Sequence, residues 1–220
     1  MTLEDLIRRF RVLSLDNVTP PFWADEDVTD WLNEAQNEAC IRARLIREDE
    51  LAAVCSIALT PGIHTYALNP LVYEIISMWV KPASGINRQV TLRSREWLNH
   101  HLPEWRDYPR PAEIAIQDDT TVRMVGAVEA GDTLELECYR LPLPPMANDT
   151  DKPEIHTMHH VHLVQWALHR AFGVPDADSF DPTKSARAEA EFTKYFGIRP
   201  DADARRDTRT DQVQHNHAIF

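Results

Sequence analysis

Apolar residues recur at helical spacing near the start of the chain and predict two helices. The first helix carries one apolar face: Leu3, Leu6, Ile7 and Phe10. The stretch 16–21, which contains two prolines, ends that pattern. We expect Asp25 to cap a second helix that runs to about Glu48. Its apolar stripe consists of Val28, Leu32, Ala35, Ala39 and Ile46.

Between residues 51 and 141 the pattern changes to short runs of apolar and β-branched residues, which predict strands. These runs are 51–59, 63–68, 72–80, 112–117, 120–125 and 133–141. Turns are expected at 60–62 and at Asp118-Asp119, and a short helix at 94–101. Because the last run alternates apolar and polar residues, one of its faces is exposed to water or covered by a partner. An antiparallel, β-rich block is therefore predicted.

Helical spacing returns after the proline-rich stretch 142–145. One helix is expected to begin near Pro153, and another begins at Asp181-Pro182 and ends at Gly197. The first has apolar residues on two sides: Val161, Val164, Leu168 and Phe172 on one, and Ile155, His159, Leu163, Trp166 and Ala167 on the other. Such a helix either is central to its own bundle or lies between its bundle and another subunit.

The predicted helices form two pairs that are each too small to make a core alone. We therefore expect an α+β fold, in which the N- and C-terminal helices join into one four-helix bundle with the antiparallel β-rich domain inserted between its halves. The predicted divisions are 1–50 and 146–197 for the bundle, 51–145 for the inserted domain, and 198–220 for an extended C-terminal arm.

The arm has a composition that does not support independent folding. Its four aspartates and four arginines cancel in charge, and too few apolar residues remain to offset the entropy of ordering the backbone. It ends in the apolar residues Ile219 and Phe220. The segment is either an ordinary frayed terminus or a binding segment.

Charge and cysteine content narrow the class of protein. The net charge of −12 belongs to the residues before the arm, and such an acidic body argues against a protein that grips the phosphate backbone of DNA. The three cysteines are widely spaced among apolar residues, so we expect reduced, buried thiols. No apolar run is long enough to span a bilayer. A cytoplasmic protein with no membrane contact is expected.

A group of histidines is the densest cluster of chemically active side chains. His156 and His160 have the spacing of metal ligands on one helix face, but Thr157 stands where the HExxH pattern needs a glutamate. Gly-x-Ser-x-Gly elbows and glycine-rich phosphate loops are also missing from the sequence. We therefore assign no catalytic residue, metal ligand or cofactor, and keep a metal-dependent hydrolase using His156 and His160 as the alternative.

Several phrases of the sequence resemble one known family. Residues 22–27 (FWADED) lead into 31–39 (WLNEAQNEA), and 139–143 (YRLPL) is followed by 159–171 (HHVHLVQWALHRA). Residues 176–182 (DADSFDP) and the region 196–203 complete the likeness. In these phrases the chain resembles the head-tail connector, or adaptor, proteins of tailed bacteriophages, including the tail accessory factors of short-tailed phages. His159 departs from the aromatic residue expected at its position.

The resemblance implies a structural virion protein at the head-tail interface, made in the host cytoplasm, rather than an enzyme. In that family, twelve copies form a ring that docks on the portal protein through its bundle and C-terminal arm and links it to tail or nozzle proteins. DNA passes through the channel without sequence-specific binding, and the acidic charge suggests a channel face that repels it. A DNA-binding regulator is disfavoured by the same charge.

The resemblance also suggests two groups of contact residues. The expected portal-binding residues of the arm are Arg199, Arg205, Arg206, Arg209, Ile219 and Phe220. The expected subunit interface consists of Trp31, His159, His162, Gln165, Trp166 and His169.

Overall fold

A computed structural model of the protein describes residues 1–175 and 179–200. The helices in these residues are α1 (Leu3–Ser14), α2 (Asp25–Ala43), α3 (Ala52–Cys55), α4 (Arg95–His101), α5 (His160–Gly173) and α6 (Pro182–Phe196). The strands are β1 (Arg47–Glu48), β2 (Ser56–Ala58), β3 (Thr65–Ala67), β4 (Val72–Lys81), β5 (Arg88–Leu92), β6 (Ile114–Gln117), β7 (Thr121–Val125) and β8 (Thr133–Arg140). The described part of the chain forms two compact units: a helical unit of residues 1–46 and 141–199, and a β unit that contains residues 47–140.

Local capping signals set the limits of the first and last helices. Thr2 caps α1 in a reciprocal capping box with Asp5. The side chain of Asp181 accepts hydrogen bonds from the backbone of the first turn of α6, with Pro182 as the first helical residue. The predicted start of α6 and its end before Gly197 are thus confirmed.

The helical unit is not arranged as a four-helix bundle, and this part of the predicted fold is wrong. Helix α5 is central and packs against α1, α2 and α6, whereas α1 and α6 share no extended contact in the described residues. Both sides of α5 are buried after its first turn: Leu163, Val164, Ala167 and Ala171 are all fully buried, whereas Val161 in the first turn is exposed. The two apolar sides of α5 therefore reflect its central place in its own unit. The α+β mixture itself is confirmed.

Three predicted helix limits are also wrong. Helix α2 ends at Ala43, since Arg44 has a left-handed φ of 52°, and the next residues pair with β8 instead. Ala24, not Asp25, occupies the N-cap of α2. No helix begins at Pro153: the backbone N–H of Glu154 donates to Gln36 Oε1 at 2.6 Å, and a 3₁₀ turn at Thr157–His159 leads into α5.

The β unit contains one curled, eight-stranded sheet with the order β1-β8-β4-β5-β6-β7-β3, and β2 also pairs with β8. The hairpin about Asp118-Asp119 is confirmed as the antiparallel pair β6 and β7. The purely antiparallel prediction is wrong, because β5 and β6 are parallel. α4, which was expected at 94–101, lies in the long connection between them.

The predicted turn at 60–62 does not join two paired strands. Residues 52–55 form α3 rather than a strand, and the strands on either side of the turn pair elsewhere, β2 with β8 and β3 with β7. Tertiary pairing therefore decides the partner of each short strand, although the turn residues themselves suggest a hairpin.

Strand β8 alternates as expected, but its polar face is largely covered. Leu134, Leu136 and Cys138 are buried on one side, and Glu137 on the other side is buried beside Ser77 and Arg47. All three cysteines are buried thiols that form no disulfide within the described residues, as predicted. Burial raises the pKa of the Cys138 thiol to about 12.

Among the described residues, none of the helices is both long enough and apolar enough to cross a bilayer.

Candidate interaction surfaces of the helical unit

The end of α6, from which residues 198–220 continue, is held by a buried arginine. Arg42 of α2 donates to Thr193 Oγ1 at 2.8 Å and to the carbonyl oxygen of Gly197 at 3.3 Å. A cation at this position also complements the negative end of the α6 dipole. The guanidinium therefore fixes both the last turn of α6 and the first residue after it.

The same arginine is enclosed by aromatic rings and paired with a buried carboxylate. Its guanidinium carbon lies 5.2 Å from the ring centroids of both Trp166 and Phe192. Its Nε lies 2.8 Å from Glu38 Oε1, and the side chains of Arg42 and Glu38 are only 5% and 7% exposed. The pair is thus removed from water and hydrogen-bonded on several sides, which is the arrangement that makes a buried ion pair sensitive to loss of one partner.

Arg199 connects this cluster to the segment expected to bind the portal. Its Nε lies 3.7 Å from Glu38 Oε1, and its side chain is 61% exposed. Glu38 therefore interacts with two arginines, one buried and one largely exposed to solvent. The cluster of Glu38, Arg42, Thr193, Gly197 and Arg199 is called the arm root below.

A second surface is formed by histidines of α5 against Tyr195 of α6. The ring of His162 stacks on the Tyr195 ring, with centroids 3.5 Å apart and planes 14° apart, and His159 Nδ1 lies 3.1 Å from Tyr195 Oη. Burial lowers the pKa of both histidines, and the neighbouring His156 adds to the lowering at His159. Both side chains are half-buried, so this surface remains open to a partner.

These lowered pKa values predict that the protein loses stability in mild acid. The unfolded chain binds protons at these histidines near pH 6.5, whereas the folded chain binds them only at lower pH. The free energy of unfolding should therefore be constant above about pH 7 and fall as the pH drops through 6.5. Thermal unfolding between pH 7.5 and pH 5.5 measures this, and the change should shrink in His159→Gln/His162→Gln. An equal change in that variant would contradict the assignment; His100→Gln, at an exposed position of α4, serves as the control.

The geometry does not favour the hydrolase alternative. His160 is buried and both of its ring nitrogens are engaged: Nε2 lies 2.9 Å from the carbonyl oxygen of Ile155, and Nδ1 lies 3.0 Å from the amino nitrogen of Met1. His156 accepts a hydrogen bond from the backbone of Met158 instead. The part of the chain that the structure describes contains no group of three or more His, Cys, Asp or Glu side chains placed to hold a metal ion.

The other residues expected at a subunit interface are dispersed around α5. Trp166 is only 8% exposed and packs inside the unit against Phe192. His169 Nδ1 lies 3.0 Å from Ser185 Oγ, and Trp31 packs half-buried against the core. Gln165 is half-buried. Five expected arm residues lie outside the described part of the chain: Arg205, Arg206, Arg209, Ile219 and Phe220.

The arm root was not recognised from the sequence as a unit. In the sequence, Arg42, Arg44 and Arg47 are followed at once by acidic residues, a pattern that predicts a solvated or subunit-facing helix end. For Arg42 this prediction is wrong, because its side chain is buried. The available signal is the i,i+4 spacing of Glu38 and Arg42 beside the apolar stripe of α2, which places both side chains toward the core. Its partners on α5 and α6 are more than a hundred residues away, so no local pattern indicates them.

The buried ion-pair cluster at the end of α6 and the half-exposed aromatic and histidine surface are structural rather than catalytic arrangements, and they suit contacts with other proteins. A protein-family model described as the SU10 adaptor protein matches residues 1–215, and the chain belongs to this family. It is a family of phage adaptor proteins, so the resemblance found in the sequence is confirmed, and with it a structural role in the virion. A comparison with curated proteins finds no match.

Proposed function

We propose that the protein is the adaptor between the portal and the tail of a tailed phage. Copies form a ring, with twelve as the expected number, and the ring docks on the portal through the helical unit and residues 198–220. The β unit faces tail or nozzle proteins, and DNA crosses the channel during ejection. The observation that carries the proposal is the family match over residues 1–215, which includes most of the arm.

The arm root supports the part of the proposal that concerns the arm. A binding segment loses less entropy on docking when the residue where it begins is already fixed. Arg42 fixes that residue at the carbonyl of Gly197, and Arg199 is the first exposed charge beyond it. The expected portal contacts are Arg199, Arg205, Arg206, Arg209, Ile219 and Phe220. Main-chain pairing of the arm or insertion of its last two apolar residues into a pocket is the expected mode of binding.

Charge supports the part of the proposal that concerns DNA. The chain carries a net charge of −12, so a ring of many copies is strongly acidic. An acidic channel does not retain the phosphate backbone, and DNA can then move through it with little adhesion.

The half-exposed residues around α5 are proposed as subunit contacts: Trp31, His159, His162, Gln165 and His169, with Trp166 supporting them from inside.

Deletion of residues 206–220 should weaken association with the portal protein by at least about tenfold, equivalent to about 1.4 kcal/mol. The helical unit should keep its thermal stability, because α6 ends at Phe196 before the deleted segment. Affinity is measured by surface plasmon resonance with immobilised portal assemblies. Ile219→Ser/Phe220→Ser distinguishes an apolar anchor from main-chain pairing, since it retains the full backbone. Unchanged affinity of the deletion variant for the portal would contradict the proposed role of the arm.

A further inference from the structure

Two of the three cysteines lie together in the core of the β unit. Cys55 is the last residue of α3 and Cys138 lies in β8, and both belong to the same cluster of buried apolar residues. The Cys138 thiol donates a hydrogen bond to the sulfur of Cys55. The third cysteine, Cys40, belongs to the core of the helical unit. The β unit therefore contains a buried pair of thiols in direct contact.

The strand register accounts for this contact. Ser56 pairs with Glu135 of β8, and their side chains meet on the polar face of the sheet, with Oγ 3.2 Å from Oε1. Cys55 comes directly before Ser56 and is buried on the opposite face, where the alternation of β8 also places Cys138. At the other end of the same segment, Glu48 of β1 pairs with Cys138 itself. Residues 48–56 are thus attached to β8 at both ends, with Cys55 facing Cys138.

This placement suits a covalent bond between the two sulfurs. The Cα atoms of a disulfide are about 4.4–6.8 Å apart, which is the separation of facing positions on adjacent segments of a sheet. Thiols that already share a hydrogen bond need only a short side-chain movement to reach bonding distance. The backbone at Cys55 is also able to adjust, because α3 is a single turn of four residues and its first residues, Ala52 and Ala53, are exposed.

We propose that Cys55 and Cys138 form an intramolecular disulfide when the protein meets a small-molecule disulfide such as oxidised glutathione. The Cys55 thiolate attacks one sulfur of the oxidant, whose sulfur–sulfur bond breaks and releases one glutathione thiolate. The Cys138 thiolate then displaces the second glutathione from Cys55. The two protein thiols lose two electrons and two protons in total, and the oxidant is released as two reduced glutathione molecules.

Burial makes this reaction slow while the β unit is closed. Desolvation raises the pKa of both thiols, that of Cys138 to about 12, so little thiolate is present at neutral pH. Exchange therefore requires local opening around α3. The pair stays reduced inside the host cell, where thiols are kept reduced, and oxidises after a virion protein has left that environment. The bond then ties β1, α3 and β2 to β8.

Incubation of the full chain with oxidised glutathione, followed by thiol counting and mass spectrometry, tests the pair. Wild-type protein should lose two of its three thiols, weigh less by the two hydrogen atoms lost, and yield a peptide that links Cys55 to Cys138. Cys40→Ala should form the same link. Cys55→Ala and Cys138→Ala should form no intramolecular disulfide and at most a mixed disulfide with glutathione. Urea below the unfolding transition should accelerate the reaction, because it favours local opening.

The linked protein should also unfold at a higher temperature. The bond closes a long loop, residues 55–138, and should raise the melting temperature of the β unit by at least about 8 °C, reversibly on reduction with dithiothreitol. Wild-type protein that keeps all three thiols even in dilute urea, that stops at a mixed disulfide, or that links through Cys40 would overturn the inference. So would a linked protein with an unchanged melting temperature. The bond forms within one chain, so none of these results depends on binding to the portal.

Discussion

Replacement of Arg42 by alanine is expected to lower the free energy of unfolding of the helical unit by about 3–5 kcal/mol. The substitution leaves the buried Glu38 carboxylate with only the largely exposed Arg199, 3.7 Å away, as its cationic partner. It also removes the hydrogen bonds to Thr193 and Gly197. Urea denaturation followed by circular dichroism measures the loss, and hydrogen exchange of α2 and α6 amides assigns it to the helical unit.

An exposed ion pair in the same unit is the matched control. Arg8 pairs with Asp5 at 3.2 Å, with its side chain 77% exposed, so Arg8→Ala should cost less than about 1 kcal/mol. Arg42→Lys keeps the charge but not the planar contacts with two rings and several acceptors, and should fall between the two. A loss for Arg42→Ala no larger than that for Arg8→Ala would show that the arm root does not stabilise the unit.

Replacement of Gly126 by alanine is expected to destabilise the β unit by about 2–6 kcal/mol. Its φ of +114° is unfavourable for any residue with a side chain, and an added Cβ would lie 2.6 Å from the carbonyl oxygen of Arg110. Strain and overpacking each cost about 1–3 kcal/mol. The clash would push the two backbone segments apart and break the hydrogen bonds that join Ala127 to Arg110 and Ala112. Hydrogen exchange of the amides in β6 and β7 measures the loss.

Gly62 provides the comparison for Gly126. It also has a positive φ, +80°, but an added Cβ would meet no atom within 4 Å. Gly62→Ala should therefore cost only the conformational strain, about 1–2 kcal/mol. Equal losses in the two variants would mean that the close approach of the 110–112 backbone is not what requires glycine at position 126.

The limits of α1 and α6 were predictable because their signals are local. Asp181-Pro182 and Gly197 mark the ends of α6 within a few residues of the backbone groups that they satisfy. The central position of α5 was also implied by its two apolar sides, although the sequence did not decide between a central helix and one covered by another subunit.

The remaining features depend on contacts between distant parts of the chain. Helix α2 stops at Ala43 although the apolar pattern continues, because Arg47–Glu48 pair with β8 some ninety residues later. The parallel pairing of β5 and β6 follows from the path of the connection between them. Periodicity describes which side of an element is buried and contains no information about the partner, so the four-helix bundle was wrong although its helices were largely right.

For the candidate surfaces, the sequence indicated residue types rather than geometry. His159 and His162 were expected at an interface and form a half-exposed surface with Tyr195, whereas His160 has a structural role inside the unit. Phrases shared with phage adaptors indicated the family, and the family match confirms it. Those phrases include Glu38 but give no sign that it pairs with Arg42 in the core.

Electron microscopy of the protein mixed with its portal assembly tests the proposed role most directly. The expected result is a closed ring of this protein on the portal, with the helical units against the portal and continuous density from the end of α6 onto its surface. Removal of residues 206–220 should leave this density missing and the ring largely unbound. Portal assemblies that remain bare at saturating protein concentration, or a ring attached by the β unit, would contradict the proposed function.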